Sequence, residues 1–395
     1  MDQIKVTELA KPEFKANPYP FYARLRAEHP VCRTKIFNQP AWLVFRYDDV
    51  FMVLKDPRLL KDWRPRTKWL HRLSGSTIGH MLNQDGADHT RLRNLVHKAF
   101  TPQMSARMRE RIQHLCDELL DDLAASGRMD LMSGYALPLP LMIISEVLGI
   151  PAEDRNRLHK LARSSLSATT LLGALASLPD QRLLVRRIRQ LIAERKREPR
   201  EDLITALAQA EEAGDKLSEK ELVATIMLLL IAGYETTVNL IGNGAQALLQ
   251  HPEQRELLVQ DPNVIDSAVE EMLRYTSPLD IASQRFASVD MRINSANIRQ
   301  GDLVIAMIGS ANHDESQFPN PETLDITREP NKHLSFGQGV HFCIGAPLAR
   351  LEGQIALTTL FRRFPTLQLA VEPEALRWRK NLIVRGLEAL PVSVA

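Results

Sequence analysis

The sequence predicts a mainly α protein with a minority of strands, on three observations. Segments of helical hydrophobic periodicity alternate with short turns from Leu137 to Arg363. Strand-like segments gather after Pro278, and no Gly/Ser-rich linker or shift in composition divides the chain. At 395 residues and 44% hydrophobic content the chain can bury a large core, and length alone suggests two or three domains. The formal net charge of +2 gives no electrostatic case for nucleic acid. Basic clusters such as Arg186-Arg187-Ile188-Arg189 and Arg195-Lys196-Arg197 read as the solvated face of an amphipathic helix. The N-terminal residues carry no apolar run of the kind that targets or anchors a chain, so no membrane partner is expected. Cys32, Cys116 and Cys343 are far apart, which fits a reducing, cytoplasmic setting.

The elements follow in order. Pro18 to Glu28 is helical, Val31–Ile36 and Ala41–Arg46 read as a hairpin, and Asp48 to Lys55 is a helix. Arg58 to Asp88 is mixed and loop-rich. Thr101-Pro102 caps a helix running to about Ala125. Ser218-Glu219-Lys220-Glu221 has capping-box spacing and starts a helical stretch to Leu249. Its run from Thr225 to Gly233 is apolar on nearly all faces yet too short to span a bilayer, which suggests a buried central helix. Asn263 to Tyr275 is a further helix, and Leu367–Val371 and Leu390–Val394 read as short closing strands.

The chemistry concentrates around Cys343. Phe336, Gly339, Cys343 and Gly345 form the pattern F-x-x-G-x-x-x-C-x-G, whose chance matches in a chain of this composition number on the order of 10⁻⁴. Ala346-Pro347-Leu348-Ala349-Arg350 reads as a helix start, with Pro tolerated in the first turn. Cys343 therefore lies just before a helix N-terminus, where free N–H groups and the dipole favour a thiolate. Gly339 and Gly345 allow the backbone to bend and approach a flat ligand, and Phe336 shields the sulfur. One thiolate suits haem iron better than zinc, which takes about four ligands. The alternative is a buried structural cysteine, which leaves the surrounding glycines and phenylalanine unexplained.

The loop resembles the haem-thiolate signature of the soluble bacterial cytochrome P450 monooxygenases, and the resemblance runs in order over nearly the whole chain. It is closest in style to macrolide and polyketide hydroxylases. It implies the cytochrome P450 fold, a single domain over residues 1–395 made of a helical domain with a small β-rich lobe. It implies haem b, with Cys343 as the metal ligand. Ala232-Gly233-Tyr234-Glu235-Thr236 is similar to the family's oxygen-binding segment, where a Gly, an acid and hydroxyls break the rules of a buried helix. By that resemblance Gly233 leaves room for dioxygen, Thr236 bonds it and holds a water, and Glu235 helps deliver protons. His89 and Arg93 match the family's H-x-x-x-R, and with Arg285 and His341 are expected to meet the haem propionates. Glu271 and Arg274 match its E-x-x-R, a structural pair that locks onto a later Arg, His or Asn.

The resemblance further implies a monomeric monooxygenase acting on an apolar small molecule with O2. No flavin or nicotinamide module is fused to the chain, so a separate ferredoxin or flavodoxin with its reductase is implied. Arg91, Lys98, Arg107 and Arg111 are expected on the docking face. The expected pocket comes from the Arg58–Asp88 and Ser165–Pro179 regions, Leu229–Ala232, Leu279–Ala282 and Ile383–Val384. It is aliphatic through Leu166, Leu171, Leu172, Leu175, Leu279 and Ile281. Tyr234 stands where His is frequent and is expected to alter the pocket roof. His313 stands where Arg is frequent. A peroxide-driven peroxygenase and a non-catalytic haem sensor or carrier are the alternatives, and the Glu235-Thr236 pair argues against both.

Overall fold

The computed structural model describes residues 5–36, 39–62, 79–100, 102–166, 178–212 and 215–394. Helix Tyr19–Glu28 (α1) leads into strands Val31–Ile36 (β1) and Gln39–Val44 (β2), helix Tyr47–Lys55 (α2) and the two-residue strand Leu59–Leu60 (β3). Gly86–Ala99 (α3), Pro102–Ser126 (α4), strand Arg128–Asp130 (β4), Pro138–Leu148 (α5), Ala152–Leu166 (α6), Leu178–Arg197 (α7), Leu203–Gln209 (α8) and Glu219–Gln250 (α9) come next. Pro252–Gln260 (α10), Ile265–Thr276 (α11), strands Arg285–Ala287 (β5) and Leu303–Ala306 (β6), helix Ala346–Arg363 (α12) and strands Leu367–Leu369 (β7) and Pro391–Val394 (β8) follow. The expected α-rich chain with late strands is found. The expected hairpin is present, with its second strand starting two residues earlier at Gln39. The Thr101 cap and most of the Arg58–Asp88 stretch lie outside the described residues.

The chain forms two compact units. The first comprises residues 1–60, 109–137 and 236–395. Its five-stranded sheet has the order β1-β2-β6-β5-β3. All four residues of β6 are buried, because each face of that strand meets its own apolar cluster. Leu303 and Ile305 join Tyr22, Leu43 and Phe45, while Val304 and Ala306 join Val50, Leu54 and Phe318. Period-two alternation thus places every side chain in a core. A second sheet, β7-β8-β4, ties the closing strands to the end of α4. Here too Lys15 is wholly buried. Its ammonium bonds Asp280 Oδ2 at 2.5 Å and the Leu382 carbonyl at 3.1 Å, and the Tyr22 hydroxyl reaches Asp280 Oδ2 at 2.9 Å.

The second unit comprises residues 61–108 and 138–235. Leu158 of α6 and Leu184, Ile188 and Leu191 of α7 are buried at helical spacing, which packs these helices against their neighbours. Arg195 of α7 is buried and bonds both the Asp202 carboxylate and the Gly149 carbonyl, joining the ends of α5, α7 and α8. The Ser218 capping box forms as expected. Ser218 N–H and Oγ–H each donate to Glu221 Oε2 at 2.8 Å, and Glu221 N–H donates to Ser218 Oγ at 3.3 Å.

Helix α9 corrects one expectation. The run from Thr225 to Gly233 is too short to span a bilayer, but the whole helix has 32 residues and is long and apolar enough to cross a membrane. Its most apolar window is 67% buried inside the protein, as in the core helix of a globular fold.

Candidate active site

Cys343 occupies a loop that its neighbours hold by backbone bonds. Gly337 N–H donates to the Leu334 carbonyl at 2.8 Å, Phe342 N–H to Gly339 at 3.0 Å, and Cys343 N–H to Phe336 at 2.9 Å. Helix α12 follows, with Gly345 at its N-cap and Pro347 in its first turn. Cys343 thus lies two residues before the N-cap of a helix, as expected, and is exposed. The other two cysteines are buried, and burial pushes their thiols up to about 11 for Cys32 and about 12 for Cys116. Those two are structural thiols. Among the described residues no group of three or more His, Cys, Asp or Glu side chains is gathered to hold a metal. A lone accessible sulfur fits an iron that brings its own equatorial ligands.

In the same unit Arg285 is buried on β5, and its guanidinium donates to the Leu54 carbonyl at 2.9 Å and to Leu59 at 3.5 Å. His341 ends the short 3₁₀ turn Gly339–His341 of the sulfur loop and is half-buried. In the second unit His89 is buried and Arg93 half-buried, one turn apart on α3.

Along α9, Leu228, Ile231, Ala232, Glu235 and Thr236 escape full burial. Their spacing of three and four residues puts them on one face of the helix. Glu235 and Thr236 therefore share a stripe with apolar residues.

The family model for cytochrome P450 matches residues 6–172 and 180–382. The chain is a cytochrome P450. It is 44% identical to the polyketide biosynthesis cytochrome P450 PksS of Bacillus subtilis, over 97% of each chain. It is also 44% identical to the vitamin D(3) 25-hydroxylase of Pseudonocardia autotrophica, over 96% of this chain and 94% of that one. The solved structure of PksS superposes with a TM-score of 0.92, covering 98% of this chain and 99% of that one. That of P450BioI, in complex with an acyl carrier protein bearing hexadec-9Z-enoic acid, gives a TM-score of 0.90 at 40% identity, covering 97% and 99%. The protein therefore has the P450 fold and is a haem-dependent oxidoreductase of the monooxygenase family.

Several reasons given for P450 site residues change with the structure. A Cβ on Gly233 would lie 2.8 Å from Ile144, so this glycine lets α9 and α5 cross closely. Gly345 has an ordinary φ of −83°, and a Cβ there would lie 3.9 Å from the Cys343 sulfur, in ordinary contact. Gly339 is the position that needs glycine for its backbone. Its φ is +71°, and a Cβ would approach the Leu54 carbonyl oxygen to 3.3 Å. Gly339→Ala is expected to cost about 1–2 kcal/mol in the left-handed region and to lower the haem-to-protein ratio. Absorbance of the purified variant checks this, and an unchanged ratio counts against that role for Gly339.

The expected P450 pocket is only partly described. Leu171, Leu172 and Leu175, with the Leu166 side chain, lie outside the described residues. Leu229 and Leu230 face the core, whereas Ile231 and Ala232 lie on the less buried stripe. Ile281 packs in the cluster with Tyr22 and Phe45, leaving Leu279 and Ile383 as the accessible members of their segments. Tyr234 is buried with its ring edge-on to His159 at 4.9 Å. Burial holds that His159 imidazole down at about 4, and its Nε2 lies 3.0 Å from Ser145 Oγ. Arg91 is tied to Glu221 by an ion pair and is no free docking cation.

Glu271 and Arg274 of α11 are both fully buried. Glu271 accepts from Arg274 Nε at 2.7 Å and Nη2 at 2.8 Å, from Arg328 Nε at 3.2 Å and from Asn331 Nδ2 at 3.0 Å. The later partners that the resemblance called for are thus Arg328 and Asn331. Sequence reasoning missed the adjacent Glu270. It accepts from Arg350 Nε at 2.7 Å and Nη2 at 2.8 Å, and from His333 at 3.0 Å. Burial pushes its carboxyl up, but these bonds outweigh burial and hold it at about 2.

Proposed function

We propose that this P450 inserts one oxygen atom of O2 into a C–H or C=C bond of an apolar small molecule of polyketide or acyl type. Electrons come from a separate ferredoxin or flavodoxin with its reductase. The carrying observation is the accessible Cys343 thiol immediately before the α12 N-terminus. The substrate class is supported by PksS, named for polyketide biosynthesis, and by P450BioI, solved with an acyl carrier protein. The apolar members of the α9 stripe and the accessible Leu279 and Ile383 agree with it. The family match over most of the chain supports one working domain, and we take the protein as a cytoplasmic monomer.

Haem b, when bound through Cys343, supplies dioxygen activation and oxygen transfer. The chain does the rest. The position just before the α12 N-terminus favours negative charge on the sulfur. By the P450 resemblance, His89, Arg93, Arg285 and His341 are the groups assigned to the haem propionates. Thr236 Oγ1 holds a water and hands on its proton, and Glu235, the neighbouring residue on the stripe, replaces that proton.

Two measurements test this. Titrating the ferric protein with a panel of macrolactones, linear polyketides, fatty acids and steroids should move the Soret band to shorter wavelength for the polyketide or acyl members. A response confined to steroids overturns the substrate class. Thr236→Ala should consume electrons at nearly the normal rate but release peroxide, lowering product per electron by on the order of tenfold or more. Unchanged coupling removes Thr236 from the proton path. Turnover with peroxide alone, and none with a reductase system, reassigns the protein as a peroxygenase.

A further inference from the structure

Phe336 touches two side chains that answer to one carboxylate. The Arg350 guanidinium lies 4.5 Å from the Phe336 ring centroid, and the His333 ring lies 5.9 Å away. Both bond Glu270, Arg350 through a two-pronged contact and His333 through Nε2. The His333 tautomer is fixed, because Nδ1 accepts from Ser335 N–H at 3.2 Å and so the proton sits on Nε2. Phe336 in turn accepts the 2.9 Å bond from Cys343 N–H. Arg350 also interacts electrostatically with Cys343, a smaller influence on the guanidinium than its bond to Glu270.

We infer that Glu270 is a positioning residue for the sulfur: through Arg350 and His333 it locks Phe336 and the Cys343 backbone, and it balances the Arg350 charge. This rests on the reading of Cys343 as the axial ligand. An ordinary half-exposed ion pair contributes little. This one differs because its arginine is stacked on the residue that bonds Cys343. Glu270 and Glu271 thus divide the work: Glu271 holds the segment from Asp325 to Asn331, and Glu270 holds residues on either side of the sulfur loop.

Removing the Glu270 charge leaves Arg350 uncompensated near the sulfur. Added positive charge favours the reduced iron and loosens the loop. Glu270→Gln and Glu270→Ala test this, with Asp154→Asn as a control that breaks a part-buried ion pair in the other unit, where Arg187 Nε and Nη2 both donate to Asp154 Oδ2. The readouts are the haem reduction potential and the rate at which the thiolate-type carbon monoxide band converts to the form without a bound thiolate. Glu270→Gln is expected to bind haem, raise the potential and speed conversion by about tenfold, with Asp154→Asn matching the wild type. Wild-type potential and conversion rate in Glu270→Gln overturn the inference, even if the melting temperature falls. Equal shifts in Asp154→Asn overturn it as well. If Glu270→Ala does not fold, Glu270→Gln decides alone. A wild-type protein lacking the thiolate-type band sinks the ligand assignment itself, and this inference with it.

Discussion

Cys343→Ser is expected to purify as a folded protein with no thiolate-type carbon monoxide band and no monooxygenase turnover. The substitution removes one polarisable anion and little else. A serine hydroxyl stays protonated where a thiol is drawn toward the thiolate, so the electron push that favours O–O cleavage is gone. Because Cys343 is exposed rather than packed, the fold should change by no more than about 0.5 kcal/mol. Cys343→His adds a control, since an imidazole binds iron through nitrogen and should give a nitrogen-type band. Haem content, the carbon monoxide difference spectrum and thermal unfolding of the apoprotein separate loss of ligand from loss of fold. A serine variant that keeps the thiolate-type band ends the assignment of Cys343.

The second large effect is on folding. Glu271→Gln and Arg274→Met each leave one buried charge without its partner. Arg274 also donates to the carbonyls of Asn312 at 3.0 Å, Pro321 at 2.8 Å and Thr323 at 3.2 Å, so its loss removes three further bonds, of which only the Thr323 carbonyl keeps another side-chain donor, Arg328. Breaking a buried pair from one side costs about 3–5 kcal/mol, a large part of the roughly 5–15 kcal/mol that holds a domain together. Both variants should yield little haem-loaded protein, and urea unfolding of what remains should show the loss. Unfolding free energies within about 1 kcal/mol of wild type for both would mean that this pair does not fasten the segment from Asn312 to Asn331.

The sulfur loop and the α12 start were legible because their logic is local. A cysteine, its glycines and a proline lie within a dozen residues, so spacing alone carries the chemistry. The capping box at Ser218 was legible for the same reason. The clamp on Phe336 was not, because Glu270 lies 63 residues from His333 and 80 from Arg350, and no periodicity links them. Strands β3 and β4 are too short to show alternation, and tertiary pairing makes them strands. On α9 the apolar composition was visible, but four consecutive residues cannot all face one way. The helical turn sends Leu229 and Leu230 inward and Ile231 and Ala232 outward. Gly233 was read by its motif, yet its packing reason depends on Ile144, nearly ninety positions earlier in the chain.

The buried Lys15 has a consequence for biosynthesis. Its carboxylate partner is 265 residues downstream and its carbonyl partner 367. During translation this ammonium stays hydrated until Asp280 and Leu382 have left the ribosome in their turn. It therefore reaches its native surroundings long after it is made.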